Sequence, residues 1–172
     1  MKPGILPAPI QYLVVTGFLI ISVLVEGRWG HQLVFHGSRP DPCAVVVGAS
    51  ASLLGWRRGA VFGLIGGLLS AALVPVNFGT QIISYTLGGV ITGWIPVFIA
   101  ADSPAISLVA GIACTATVGI SSMLMAPSHH LHVWALHFVG ELLLDTVLTI
   151  PAFYLLRFLR IGIKQRPSLF ST

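Results

Sequence analysis

His137, Glu141 and Asp145 stand at spacings of four inside "HFVGELLLDTVL", a stretch otherwise dominated by Leu, Val and Phe. Helical neighbours lie three or four residues apart, so the three ionisable side chains share a face. Three chemistries fit such a face. It can point into a helical bundle, where the acids hydrogen-bond to Ser, Thr or backbone groups of neighbouring helices. It can line a path for protons or cations. With His129, His130 and His132 it can bind a metal, since neutral imidazole is a good ligand for zinc or nickel. All three readings stay open on the residues alone. A charged acid left unpaired at mid-bilayer costs about 3 kcal/mol or more, so the face must be solvated, paired or neutral.

Other chemistries are easier to set aside. "HHLH" lacks the H-E-x-x-H arrangement that puts two zinc ligands beside a base. An aspartyl dyad needs a second acid from another helix, and no other apolar run offers one, Asp102 falling in a loop. The expectation is therefore that no second acid in another span completes a dyad with Asp145. No G-x-S-x-G nucleophile with a facing His occurs, and no G-x-x-x-x-G-K-[ST] phosphate loop. The residues predict a protein that is not an enzyme and carries no cofactor.

The elements that hold these residues follow from composition. Of 172 residues, 55% are hydrophobic and 8% charged, and the mean hydropathy is +0.93. Soluble domains carry about 25% charged residues, so a water-facing surface cannot be built here. The chain reads as an all-α integral membrane protein with a single polytopic domain. Apolar runs cover 10–25, 43–56, 59–75, 79–100, 104–126 and 133–156, and a basic tail covers 157–172. A helix needs about 20 residues to cross a bilayer, so the second run is short. Continuous runs rather than alternating strands predict a helical bundle and not a barrel. "LVEGRWG" has no small-x-small cleavage site, so the first run reads as a retained helix. Cys43 and Cys114 lie in or beside spans and predict no disulfide framework.

The charge of +4 does not point to nucleic acid, because the basic residues sit at helix ends. With six spans and the N-terminus inside, Lys2, Arg57, Arg58, Arg157, Arg160, Lys164 and Arg166 are cytoplasmic, and Arg28 and Arg39 are outside. With five spans and the N-terminus outside, only Lys2 is outside. Both agree with the positive-inside rule. Both make Arg57, Arg58, Arg157 and Arg160 cytoplasmic. Gly55, Gly59, Gly63 and Gly67 repeat every four residues, as do Gly89 and Gly93, and Gly111, Thr115 and Gly119. Small residues so spaced mark close helix packing, within the chain or against a partner. Pro96 should bend or end the fourth helix, and Pro151 should bend the sixth.

Three segments carry a resemblance. "SRPDPCAVVVGASASLLGWRRGAVFGLIGGLL" has an Arg-Pro-Asp entry to a short helix, then Arg-Arg-Gly and Gly-x-x-x-Gly-Leu-Leu. "VNFGTQIISYTLGGVITGW" has a Gly after a turn and a helix rich in small residues. "LLLDTVLTIPAFYLLRFLR" has a polar residue at mid-span, a Pro and a basic end. In order and spacing, from about 40 to 160, the chain resembles the MreD family of bacterial rod-shape-determining membrane proteins. The resemblance implies a compact bundle of about six helices in the cytoplasmic (inner) membrane, similar to the substrate-binding subunits of energy-coupling-factor transporters. It implies a non-enzymatic scaffold that binds MreC and, indirectly, MreB, RodA and a penicillin-binding transpeptidase. Two departures stand out. Ser70-Ala71 replaces an acid found in many members, and Asp145 aligns with a position where many carry Asn. The resemblance implies no role for His137 or Glu141. The alternative is a small-molecule (vitamin or metal) binding subunit of an energy-coupled transporter. Its cavity would be open to the outside near residues 26–42, with His130, Trp134 and His137 as contacts.

Overall fold

The computed structural model describes residues 7–29, 38–73, 77–97, 105–125, 127 and 131–159. They form six helices: α1 (Ala8–Trp29), α2 (Pro42–Leu54), α3 (Trp56–Leu73), α4 (Phe78–Trp94), α5 (Ala105–Met125) and α6 (Leu131–Phe158). A single 3-10 turn, Ile95–Val97, follows α4. No strand occurs among the described residues. Pro9–Arg28, Ala105–Met125 and Leu131–Phe158 are long and apolar enough to cross a membrane, and Pro42–Leu54 is apolar but shorter. Leu13, Ile21, Leu24, Leu124, Leu136 and Phe158 are all exposed, a surface suited to lipid. The chain is thus all-helical, with the character of a membrane protein.

The helix limits refine the apolar runs. α1 continues past 25 to Trp29, and α4 ends at Trp94 although the apolar run goes on to 100. Pro96 lies in the 3-10 turn that ends it. Pro151 lies inside α6, which runs on to Phe158. Lys2, Pro75, Asp102, His129, His130, Arg160 and the rest of the tail fall outside the described residues.

α2 begins and ends on local signals. Asp41 caps it, its Oδ1 accepting from Ala44 N–H at 2.9 Å. Pro42 occupies the first turn, where a missing N–H costs nothing. Gly55 ends the helix with φ 82°, a conformation that favours glycine. Gly55 is therefore the joint before α3 rather than part of its ridge, a correction to the four-glycine reading. α2 touches all five other helices, and all its residues except Pro42 and Leu53 are buried. The shortest helix is the core of the bundle.

The remaining glycines join α3 to α4. A Cβ on Gly59 would strike the Gly89 carbonyl, one on Gly63 the Tyr85 carbonyl, and one on Gly93 the backbone of Trp56. At Gly67 the obstacle is Ile82 Cα at 2.8 Å. These contacts make an antiparallel pair with touching backbones, the geometry small residues permit where lipid supplies no hydrophobic drive. α5 continues the layer, with Cys114 Sγ 3.3 Å from a Cβ built on Gly88. α6 packs on α5 at Gly111, where the corresponding distance to Thr149 Oγ1 is 2.9 Å. α1 runs parallel to α3: Tyr12 lies on Phe62 with ring centroids 5.2 Å apart, and Arg58 Nη1 donates to Gln11 Oε1 at 2.9 Å.

α2 covers only part of its neighbours' length. Its Ala51 meets Gly59, and its first turn, at Cys43, meets Gly66. Residues 38–40, just before Asp41, are not helical, and Ser38 lies directly against Gly140 of α6.

Gly63→Leu should destabilise the protein by about 1–3 kcal/mol or more, because the obstacle is backbone that cannot move aside. Gly17→Leu, with nothing within 4 Å of the new Cβ, should be neutral. Thermal unfolding in detergent measures both, and equal losses would contradict the α3–α4 contact.

Candidate functional site: the carboxyl cluster at the start of α2

Asp145 is completely buried. Its Oδ1 accepts from the Asp41 backbone N–H at 2.8 Å, and its Oδ2 accepts from Thr115 Oγ1 at 3.1 Å. Asp41 is engaged at both oxygens too, Oδ1 by Ala44 N–H and Oδ2 by the Tyr85 hydroxyl. Four helices thus meet at one point: α6 supplies Asp145, α5 Thr115, α4 Tyr85, and α2 its N-terminus. The first N–H groups of a helix have no partner within it, and the end carries partial positive charge. Two carboxyls at that end answer both needs.

The second acid comes from outside the apolar runs, at the residue before α2. It does not create an acid dyad. In such dyads two carboxyls share a proton across a short contact. Here the link runs from the backbone N–H of one aspartate to the carboxyl of the other. All four oxygens already have donors, so none is left aimed at a substrate. The arrangement is suited to holding a helix end in an apolar interior.

Glu26 of α1 and Glu141 of α6 lie within electrostatic reach of Asp41. Four of the chain's five acids therefore gather around the start of α2. Glu26 Oε2 is buried without a hydrogen-bond partner. Glu141 is half-buried.

His137 departs from this group. A step of four residues overshoots a full turn by about 40°, so the three-residue face drifts as it climbs. Asp145 is buried, Glu141 half-buried and His137 exposed. His137 instead borders an open hollow of about 600 Å³ with Ser38, Val133, Leu136, Gly140 and Leu144. Trp134 stacks on Phe138 with centroids 4.9 Å apart. Among the described residues, no group of three or more His, Cys, Asp or Glu side chains could hold a metal ion. At the opposite end of the bundle, Arg57 lies over the Trp56 ring at 5.2 Å, and Trp56 packs near Trp94 at 6.3 Å. Arg57 and Arg157 are exposed.

Sequence reasoning missed Asp41, Tyr85 and Thr115 as members of this site. Asp41-Pro42 before an apolar run is a helix-start signature and could have been read as a cap. Nothing local marks Tyr85 or Thr115 as a partner of a distant aspartate. Comparison with protein-family models, with curated proteins and with solved structures finds no match to this chain.

Asp145→Asn should be mild, because the amide oxygen can keep one of the two donors. Asp145→Leu strands the Asp41 N–H and the Thr115 hydroxyl, each worth about 1–3 kcal/mol when buried and unpaired. Unfolding midpoints in detergent measure the difference. If both variants are equally tolerated, the Asp41–Asp145 bond does not hold α2 in place.

Proposed function

We propose that this chain is a non-enzymatic membrane scaffold of the MreD type. It sits in the bacterial cytoplasmic membrane and maintains rod shape by binding MreC and, through it, the peptidoglycan synthesis proteins of the elongation machinery. MreB, RodA and a penicillin-binding transpeptidase are the indirect partners. The observation that carries the reading is the Arg39-Pro40-Asp41-Pro42 entry. The segment on which the family resemblance begins starts the central helix, and its aspartate is fully engaged in binding other parts of the chain. That is the work of an architectural residue.

Packing also supports six crossings, a bundle of the energy-coupling-factor substrate-subunit type and cytoplasmic termini. α1 and α3 run parallel, with Gln11 beside Arg58 and Gly27 beside Leu73. The start of α1 therefore lies on the same side as Arg57 and Arg58, which the positive-inside rule makes cytoplasmic. α2, between α1 and α3, makes the return crossing. The glycines of α3 and α4 are occupied inside the chain, so the partner meets another surface.

The test is co-purification with MreC from the native host, together with deletion. A stable complex and loss of rod shape are expected; no complex and an unchanged shape would refute the reading. For the topology, a tag at residue 1 should react with an impermeant reagent only after the cells are opened. Reaction in intact cells would restore five spans. The hollow beside His137 favours a second reading, a vitamin- or metal-binding transporter subunit. A small molecule carried through purification would support it.

A further inference from the structure

We propose that the outward face of the α3–α4 pair binds one anionic phospholipid. Its phosphate would sit on Arg57 beside Trp56 and Trp94, and its acyl chains along the two helices. The proposal does not depend on which protein the chain scaffolds.

The head of the site is built where α3 begins and α4 ends. Gly55 closes α2 at a positive φ, so Trp56 and Arg57 open α3 directly. Gly93 lies against the Trp56 backbone, which brings Trp94, the last residue of α4, to the same level. The two indole rings stand 6.3 Å apart. Trp56 is 39% and Trp94 49% exposed, so an arriving molecule can reach both. Arg57 is exposed too, with its guanidinium 5.2 Å from the Trp56 ring. A cation over an indole face is held there electrostatically, so Arg57 has a preferred place. Its neighbour Arg58 is engaged within the chain, donating to Gln11 and lying 5.7 Å from the Tyr12 ring. The adjacent arginines therefore differ: Arg58 ties α3 to α1, and Arg57 faces outward.

The residues that follow Arg57 along the surface decide the partner. On α3, Val61, Leu64 and Leu68 continue from Arg57 at steps of four, three and four, and all are exposed. On α4, Ile83, Leu87 and Ile91 lead to Trp94 at steps of four, four and three, and they are exposed as well. Such steps keep to one face of a helix. The backbones of α3 and α4 touch at Gly59, Gly63 and Gly89, so the two rows lie side by side. From Arg57 to Leu68 is about 16 Å along the helix. Half of a hydrocarbon layer is about 15 Å thick.

A cation and two indoles above an apolar strip one leaflet long match the outline of a lipid. A soluble anion would use Arg57 and leave both rows bare. An acidic cytoplasmic protein would not reach below the tryptophans into hydrocarbon. Charge then selects the lipid class. The guanidinium fork pairs with phosphate through two parallel hydrogen bonds, and each indole carries an N–H donor. α3 has no acid in its first turn, so its N-terminal partial charge adds to that of Arg57. A zwitterionic headgroup would bring a cation of its own against these positive groups, whereas a net-anionic headgroup brings none.

The test is native mass spectrometry of the full chain in mild detergent. Phosphatidylglycerol, or phosphatidylcholine with the same acyl chains, is added. The wild type should retain one phosphatidylglycerol in preference to phosphatidylcholine. Arg57→Gln should lower the bound fraction about fivefold, the effect of one basic residue near an anionic surface. Arg157→Gln removes another exposed cation at the same end and should leave binding unchanged. Leu64→Ala and Trp94→Ala should weaken retention of phosphatidylglycerol. Thermal unfolding of each variant should match the wild type, because the replaced side chains are exposed. Equal retention of the two lipids, or equal losses in Arg57→Gln and Arg157→Gln, overturns the proposal, since general attraction would then account for the binding. Complete displacement by inorganic phosphate also overturns it, because the apolar rows would take no part. Unchanged lipid retention in Arg57→Gln, with loss of a co-purifying protein, would assign the face to that protein instead.

Discussion

The hydrogen bond from the Asp41 N–H to the Asp145 carboxyl decides where α2 begins, and the start of α2 decides the shape of everything around it. An apolar bundle cannot leave the N–H groups of a helix end without acceptors. Asp145 accepts from the residue before the helix, and Asp41 accepts from the residue three positions later. The two acceptors sit on separate segments, so the end is tied to α6 as well as closed locally. Thr115 and the Tyr85 hydroxyl then engage the remaining carboxyl oxygens. Removing either donor to Asp145 would leave a completely buried carboxyl oxygen without its partner.

From that point the two halves of the molecule differ. On the side of Trp56 and Trp94, α2 fills the centre, and the helices around it approach closely. Gly59, Gly63 and Gly89 bring backbone against backbone, and Gly48 lets α2 lie on Cys114 of α5, with a distance of 3.0 Å from Cβ to Cβ if the glycine had one. On the other side there is no α2. α1 contacts α2 and α3 but not α6, and the first half of α6 has no buried residue. One half is packed as a core is packed, while the other keeps apolar side chains facing outward together with Arg39 and His137.

The glycine register was open to sequence reading because a spacing of four needs no knowledge of the rest of the chain. Gly59, Gly63 and Gly67 face one way on any α-helix. Gly55 keeps the spacing but lies at a φ of 82°, and periodicity cannot tell a helix from the joint before it. The six apolar runs were legible for the same reason, since burial in lipid selects composition over long windows. Their ends were less so. α4 stops at Trp94 while hydrophobicity continues, because Pro96 ends the helix without changing the composition. The site was the least legible part. Asp41 and Asp145 are separated by 104 residues, and Tyr85 reaches Asp41 over 44. A spacing rule within one helix cannot see such pairs. It joined His137, Glu141 and Asp145, which the fold then distributes between surface and core.

The distribution of acids bears on how a polar group in an apolar protein should be read. Alone in α6, Asp145 suggests transport or catalysis, because a buried charge without purpose would be lost at low cost. Its two donors give it a purpose that is wholly architectural. Asp145 is satisfied by its own chain, so it explains the fold.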